Sequence, residues 1–171
     1  MALKTEFTMN NETNRRALNG HEVVMHSHHY LALITKLVED LEDLGGPQIL
    51  CEVVEENMRN ILNDYFQENS LSSAEERYRA GEDYFSTFGL GKMHITGDEK
   101  GGEVRLTSSH IDEGWTMKWG PHSKPVNHLT RGFISAIFSA AFNKPPKSYA
   151  IDETASIVTG EQESKFIVTA L

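Results

Sequence analysis

The histidines of this sequence are its most promising candidates for metal or ligand binding, and four of the eight lie within positions 21–29. Imidazole is a common protein ligand for zinc, iron and copper. If residues 20–28 are extended, side chains two positions apart share a face, which places His26 beside His28. The pattern predicts His26, His28 and His29 as candidate ligands of a zinc or iron ion. Surface or structural histidines are the competing interpretation, because no full ligand set stands at a diagnostic spacing.

A second, looser group of histidines accompanies two tryptophans later in the chain. His110 is predicted to end a strand, His122 to lie in a loop, and His128 to lie in the first turn of an apolar helix. Trp115 and Trp119 each offer a large apolar face and one N–H donor, so they suit a pocket for an aromatic molecule. The alternative is that the tryptophans belong to the core or to a dimer contact.

The apolar helix itself, predicted over residues 126–142, carries a glycine at position 132. A glycine inside a helix costs about 1 kcal/mol relative to alanine, so Gly132 indicates close packing or the approach of a ligand. Phe133, Ile137 and Phe138 follow it and are predicted to lie nearest to the core or to a ligand cavity. The complete set of residues predicted to contact a small ligand is His29, His110, Trp115, Trp119, His128, Phe133 and Ile137.

The sequence contains no catalytic signature. It has no nucleophile elbow, no dinucleotide fingerprint and no phosphate-binding loop. Cys51 lies between Leu50 and Glu52 with no nearby cation to lower its pKa, which is typical of a buried, inert thiol. Enzymatic activity is therefore not indicated, although a metal-dependent enzyme stays open as an alternative.

Composition restricts the class of protein and its partners. The formal charge of −9, from 16 basic and 25 acidic residues, argues against binding to nucleic acid or to anionic membrane surfaces. A lone cysteine cannot form an internal disulfide, which favours a reducing compartment. The sequence shows no secretory signal and no run of about 18 apolar residues. We therefore expect a cytoplasmic protein.

Hydrophobic periodicity gives the elements that must position these residues. The first helix, predicted over 28–44, has apolar residues from Tyr30 to Leu44 at spacings of three and four, which mark one helix face. Capping boxes are predicted at Ser72 and Ser73. The predicted elements are a mobile tail at 1–14, a short strand or extended lead-in at 20–27, helices over 28–44, 47–68, about 72–88 and 126–142, hairpins over 92–110 and 147–171, and GWTMKWG as a strand or loop. This order predicts an α+β domain over 15–171, with an antiparallel sheet of two hairpins packed against about four helices.

Three stretches between residues 108 and 168 carry a family resemblance, namely SSHIDEGWTMKWG, PVNHLTRGFISAIFSAAF and SYAIDETASIVTGEQESKFIV. Together they resemble the 4-vinyl reductase domain family, which shares its fold with subunits of the TRAPP transport complex and is grouped with haem NO-binding domains. The family's closing hairpin carries two cysteines, at positions where this chain has Ala155 and Ser164. A metal or redox role of those cysteines therefore does not transfer.

The resemblance implies a pocket between helices and sheet that holds a small apolar or aromatic molecule. Our leading prediction is a small-molecule-binding or sensory domain, homodimeric, whose output passes through a partner protein or a change in association. One alternative is a metal-dependent enzyme that uses His28, His29 or His110. The other is a structural assembly subunit. A filled interior and a large exposed apolar surface would favour this alternative.

Overall fold

The computed structural model describes residues 3–171, apart from the side chain of His28. Its strands are β1 (Phe7–Met9), β2 (Arg16–Leu18), β3 (His21–Val23), β4 (Gly91–Asp98), β5 (Gly101–Ser109), β6 (Tyr149–Ala155) and β7 (Ser164–Ala170). Its helices are α1 (His28–Asp40), α2 (Gly46–Glu68), α3 (Ala74–Thr87), α4 (His110–Trp119) and α5 (His128–Ala141), with short 3-10 turns at Glu42–Leu44 and Ile157–Thr159. The predicted α+β class is confirmed.

The main sheet has four antiparallel strands in the order β4-β5-β7-β6. The two predicted hairpins form its two halves, and they join where β5 pairs with β7. Val104 of β5 lies opposite Phe166 of β7, and both side chains are fully buried. A separate three-stranded sheet, β1-β2-β3, precedes the helices. It includes Phe7–Met9, in the segment for which the sequence predicts a mobile tail.

Helix α5 lies at the centre of the core. Every residue from Gly132 to Ala141 is buried in this helix, and Phe133, Ile137 and Phe138 pack into the main apolar cluster. Helix α2 packs against α5. A Cβ added at Gly132 would lie 2.4 Å from the carbonyl oxygen of Cys51, so the glycine allows the two backbones to approach closely.

The remaining helix ends follow local rules. Ser73 caps α3 in a capping box, in which its hydroxyl accepts from the Glu76 amide and Glu76 accepts from the Ser73 amide. The prediction for Ser73 is therefore confirmed, because these two bonds satisfy orphan N–H groups of the first turn. Within residues 3–171, no helix has both the length and the apolar character needed to cross a bilayer.

The prediction of a strand or loop for GWTMKWG, and of a strand end at His110, is wrong. The segment from His110 to Trp119 forms helix α4. The hydroxyl of Ser109 accepts from the Asp112 amide, and the helix begins at His110. Trp115 and Trp119 are four residues apart and therefore lie on one face of the helix. Their ring centroids are 4.9 Å apart. The flanking glycines of the segment suggest a turn, but this aromatic spacing is helical.

Candidate ligand-binding cleft

A cleft of about 440 Å³ opens where the junction of α1 and α2 meets the start of α5 and strand β6. The family resemblance implies a ligand pocket between helices and sheet, and this cleft is lined by residues of α1, α2, α5 and β6. Its lining is far more polar than expected, because six of its twelve residues are charged. The lining residues are Glu39, Glu42, Gly45, Pro47, Gln48, Cys51, Lys124, Pro125, His128, Arg131, Asp152 and Glu153.

A chain of three ionisable side chains crosses the floor of the cleft. The His128 ring lies between Glu39 of α1 and Arg131 of α5, with its Nε2 2.6 Å from Glu39 Oε2 and its Nδ1 in contact with the Arg131 guanidinium. His128 and Arg131 are three residues apart on α5, so they share one face of that helix. The side chains of Glu39 and His128 are only 8% and 5% exposed. The contact joins residues that are 89 positions apart in sequence.

The surroundings set the charges of this chain. Burial lowers the pKa of His128, and the Arg131 cation lowers it further, against the opposing effect of Glu39. Burial would raise the pKa of Glu39, but its contacts with His128 and Lys124 hold it below its ordinary value. At neutral pH these shifts give a neutral imidazole and an ionised carboxylate. His128 Nε2 then donates to Glu39, and Nδ1 accepts from Arg131.

Two buried polar atoms beside the cleft lack a hydrogen-bond partner anywhere in residues 3–171, namely Arg131 Nε and His122 Nε2. Glu39 Oε1 is buried as well, but it forms an ion pair with Lys124, whose Nζ lies 3.1 Å away. His122 Nε2 lies 3.8 Å from the same oxygen, which is too far for a hydrogen bond. Buried polar atoms are almost always hydrogen-bonded, so the two unpaired nitrogens call for a bound molecule or water.

A buried hydrogen-bond network supports the wall of the cleft. Asn127, at the cap of α5, donates to Asp112 Oδ1 at 2.6 Å and to Glu153 Oε1 at 3.2 Å. Ser164 of β7 donates to Asp112 Oδ2 at 2.9 Å. Asp112, Asn127 and Ser164 have no exposed surface. The network therefore ties α4, α5, β6 and β7 together directly behind the cleft.

The two carboxyl groups of this network bind protons more tightly than usual. Burial raises the pKa of Glu153 to about 7, and the neighbouring Asp112 adds to the effect. Burial also raises the pKa of Asp112, against the hydrogen bonds that it accepts from Asn127 and Ser164. Two nearby carboxylates in a dry site disfavour each other's ionisation. Glu153 therefore titrates near neutral pH.

A second cleft, of about 380 Å³, lies further along α2 and α5 and is lined also by β6. The two clefts share Gln48, Cys51, Arg131 and Asp152. The Cys51 thiol donates to the carbonyl oxygen of His128 at 3.0 Å. Burial raises the pKa of Cys51, so the group is a thiol at neutral pH, as the sequence analysis expects.

Of the residues predicted to contact a ligand, the structure places His128 in the larger cleft. Trp115 packs with Trp119, Val126 and Val158 in a separate small cluster, and it reaches the cleft only indirectly, through His122, whose ring centroid is 5.1 Å away. Phe133 and Ile137 lie in the main core. His29 is exposed on the first turn of α1.

The histidines predicted to bind a metal do not converge in the described part of the chain. The His26 ring lies 6.4 Å from that of His110, and the His28 side chain lies outside the described residues. Among those that are described, no group of three or more His, Cys, Asp or Glu side chains is arranged to hold a metal ion.

Several residues of the cleft escape the sequence analysis. Glu39 belongs to an acidic run that resembles a solvated helix face, and Glu153 lies on a strand of alternating polarity. The only local signal is the spacing of His128 and Arg131, which puts two basic side chains on one face of α5. Asp112 and Asn127 are visible as a pair only after α4 and α5 are folded.

Comparisons with known proteins bear on the fold. No protein-family model matches the chain, and no curated protein matches it. The phenol-responsive sensory domain of the transcription activator PoxR, solved with phenol, is similar in structure, with a TM-score of 0.78 and 13% sequence identity over 96% of this chain and 84% of that chain.

A subunit 3 of the trafficking protein particle complex from Naegleria fowleri, covalently bound to palmitic acid, is also similar. Its TM-score is 0.52 at 11% identity, over 84% of this chain and 95% of that chain. At these identities the likenesses show the fold alone. The fold implied by the resemblance to 4-vinyl reductase domains is thereby confirmed, while membership of that family stays a prediction.

Proposed function

We propose that this chain is a small-molecule-binding sensory domain whose ligand occupies the larger cleft. The observation that carries the proposal is that two buried nitrogens beside this cleft, Arg131 Nε and His122 Nε2, have no hydrogen-bond partner in residues 3–171. The volume of about 440 Å³ is within the range of small-molecule sites. The structural likeness to a phenol-responsive sensory domain supports the same class of function.

The polar groups of the cleft suggest the chemistry of the ligand. Arg131 Nε is a donor, and Glu39 offers a charged acceptor in the lining of the same cleft. A hydroxyl group both donates and accepts, so it can pair with either residue. We therefore propose a small hydroxylated aromatic molecule, with phenol as the simplest example. Its ring would rest against the side chains of Pro47 and Pro125, which line the cleft.

Calorimetry with phenol and toluene tests this proposal. The two molecules share a ring and differ in the hydroxyl, and a site that hydrogen-bonds a hydroxyl strongly rejects an analogue without it. We expect phenol to bind at least tenfold more tightly than toluene. Glu39→Gln removes the charged acceptor and should weaken phenol binding about tenfold, because a hydrogen bond to a charged group contributes about 1.5–3 kcal/mol.

Glu56→Gln is the matched control, since Glu56 is an exposed glutamate on α2. It should leave phenol affinity unchanged. Equal affinities for phenol and toluene would refute the hydroxyl-recognition model, and the absence of binding would refute phenol as a ligand. Native mass spectrometry with metal analysis of the purified protein then separates a different organic ligand from the metal-dependent alternative.

A second candidate function, that of a structural assembly subunit, has its own supporting observation. The space between α5 and the sheet is filled by buried side chains such as Phe133, Ile137 and Phe166. At the same time α1 and the 3-10 turn after it expose several large apolar residues, among them Leu37 and Leu44. An exposed apolar surface of this kind marks a site of association. A sensory domain needs such a surface as well, if its output is a change in association or contact with a partner protein.

A further inference from the structure

Helix α1 has two apolar faces, and one of them is uncovered. The inner face carries Leu31 and Ala32, which are buried, and the helix packs against α4. The outer face, here called the outer stripe, continues into the 3-10 turn after the helix. The outer stripe consists of Tyr30, Leu33, Leu37, Leu41 and Leu44, whose exposed fractions are 56%, 50%, 60%, 40% and 77%.

The spacing of the outer stripe is that of a helix-packing seam. Its members follow one another at intervals of three, four, four and three residues, an average of 3.5. Apolar residues at this average spacing form a straight seam along which a second helix packs. A solvated helix face carries polar residues instead. The pattern therefore points to a helical partner that lies along α1.

The exposed apolar area is sufficient for a stable interface. Val24 and Met25, just before α1, are 86% and 81% exposed, and Ile49 and Val53, just after it, are 58% and 59% exposed. Burying one such side chain removes roughly 60–120 Å² of apolar surface. Scaled by their exposed fractions, these four residues and the outer stripe together offer roughly 350–700 Å². The apolar share of a standard interface is about 450 Å² per partner.

Charges beside the outer stripe identify the partner. Lys36 and Asp40 form an ion pair one helical turn apart, close to Leu37. If two copies of α1 pack antiparallel about a twofold axis between Leu37 and Val38, Lys36 of each copy lies on the same side of the seam as Asp40 of the other and level with it to within one residue. A parallel twofold arrangement would put the two ion pairs on opposite sides of the seam, where they do not meet. The edge of the stripe is thus complementary to itself, which is the property of an isologous interface.

We propose that a second copy of this chain covers the outer stripe, with the two α1 helices antiparallel about a twofold axis near Leu37. This inference does not depend on the ligand proposed for the cleft. It assigns the interface and its polarity, which the sequence resemblance does not.

Sedimentation velocity of the full chain and two variants tests the surface. Leu37→Glu places two like charges at the axis and should raise the dimer dissociation constant at least 100-fold. Phe7→Glu is the matched control, because Phe7 is a large apolar residue that is 66% exposed on β1 and does not belong to the outer stripe. It should leave the dimer intact. Circular dichroism verifies that each variant is folded.

Cysteine cross-linking under mild oxidation tests the polarity, with the unmodified chain as the background reference. Leu37→Cys should link to itself, because the residue lies at the axis. Leu33→Cys and Leu41→Cys should link to each other in a mixture, but not each to itself. Three results would overturn the proposal. The first is a wild-type protein that is monomeric at 100 µM, roughly the upper range of weak specific association. The others are a Leu37→Glu variant that still dimerises and a Leu33→Cys variant that links to itself.

Discussion

Replacing Glu153 with glutamine should change how the stability of this protein depends on pH. Burial and Asp112 raise the pKa of Glu153 from 4.5 to about 7. The folded state therefore holds a proton that the unfolded chain releases above about pH 4.5. Because the folded state binds more protons in this window, stability falls as the pH rises from about 4.5 to 7 and is then constant. A glutamine cannot ionise, so the variant lacks this loss.

The size of the effect follows from the two pKa values. Each pH unit between them changes the free energy of unfolding by about 1.4 kcal/mol, so ionised Glu153 costs the wild type about 3 kcal/mol above pH 7. Glutamine also loses one acceptor for the two hydrogen bonds donated by Asn127, at a cost of about 1 kcal/mol. We expect similar stabilities at pH 5 and a variant that is more stable by about 2 kcal/mol at pH 8.

Urea unfolding between pH 5 and 8 measures this difference, with the fluorescence of Trp115 and Trp119 as the probe. Glu56→Gln, at an exposed position, controls for the loss of a negative charge from an acidic protein. Asp112 remains in both proteins but is coupled to Glu153, so the difference between the two pH profiles measures Glu153 together with its effect on Asp112. Parallel pH profiles for wild type and Glu153→Gln would show that Glu153 ionises normally, and the account of the buried network would fail.

Two further predictions concern the scaffold. Gly132→Ala should lower the free energy of unfolding by about 1–2 kcal/mol, because the added Cβ would press on the Cys51 carbonyl. This cost should outweigh the better helix propensity of alanine. An unchanged or higher stability in urea unfolding would contradict the close packing of α2 and α5. Ser73→Ala should cost about 1 kcal/mol through loss of the capping box with Glu76. Ser72→Ala is its control, and an equal cost for both would show that the box does not stabilise α3.

The elements of the fold follow from local sequence rules to a large extent. The 3.6-residue period locates α2 and α5, and the capping box locates α3, because each depends on neighbours along the chain. Helix α4 is the exception. Gly114 and Gly120 flank a segment that resembles a turn, while the spacing of Trp115 and Trp119, with Ile111 before them, is helical.

The cleft could be predicted only in part. His128 is identifiable because it stands at the start of a strongly apolar helix. Its partner Glu39 is indistinguishable in sequence from the solvated acidic residues beside it, since burial of that side chain depends on how α1 meets α5. The same reason applies to α1 itself, where the spacing of Leu37 and Leu41 reveals an apolar face but not that this face is uncovered.

The reactivity of the Cys51 thiol can report whether either cleft is occupied. It is the sole sulfhydryl in the sequence, and it lines both clefts. Because burial raises its pKa and the thiolate is the reactive form, a maleimide or disulfide reagent should modify it slowly. A molecule bound in either cleft would cover the sulfur and slow the modification further. The fraction of clefts occupied can thus be followed from a labelling rate in unmodified protein, without any dye, tag or engineered residue.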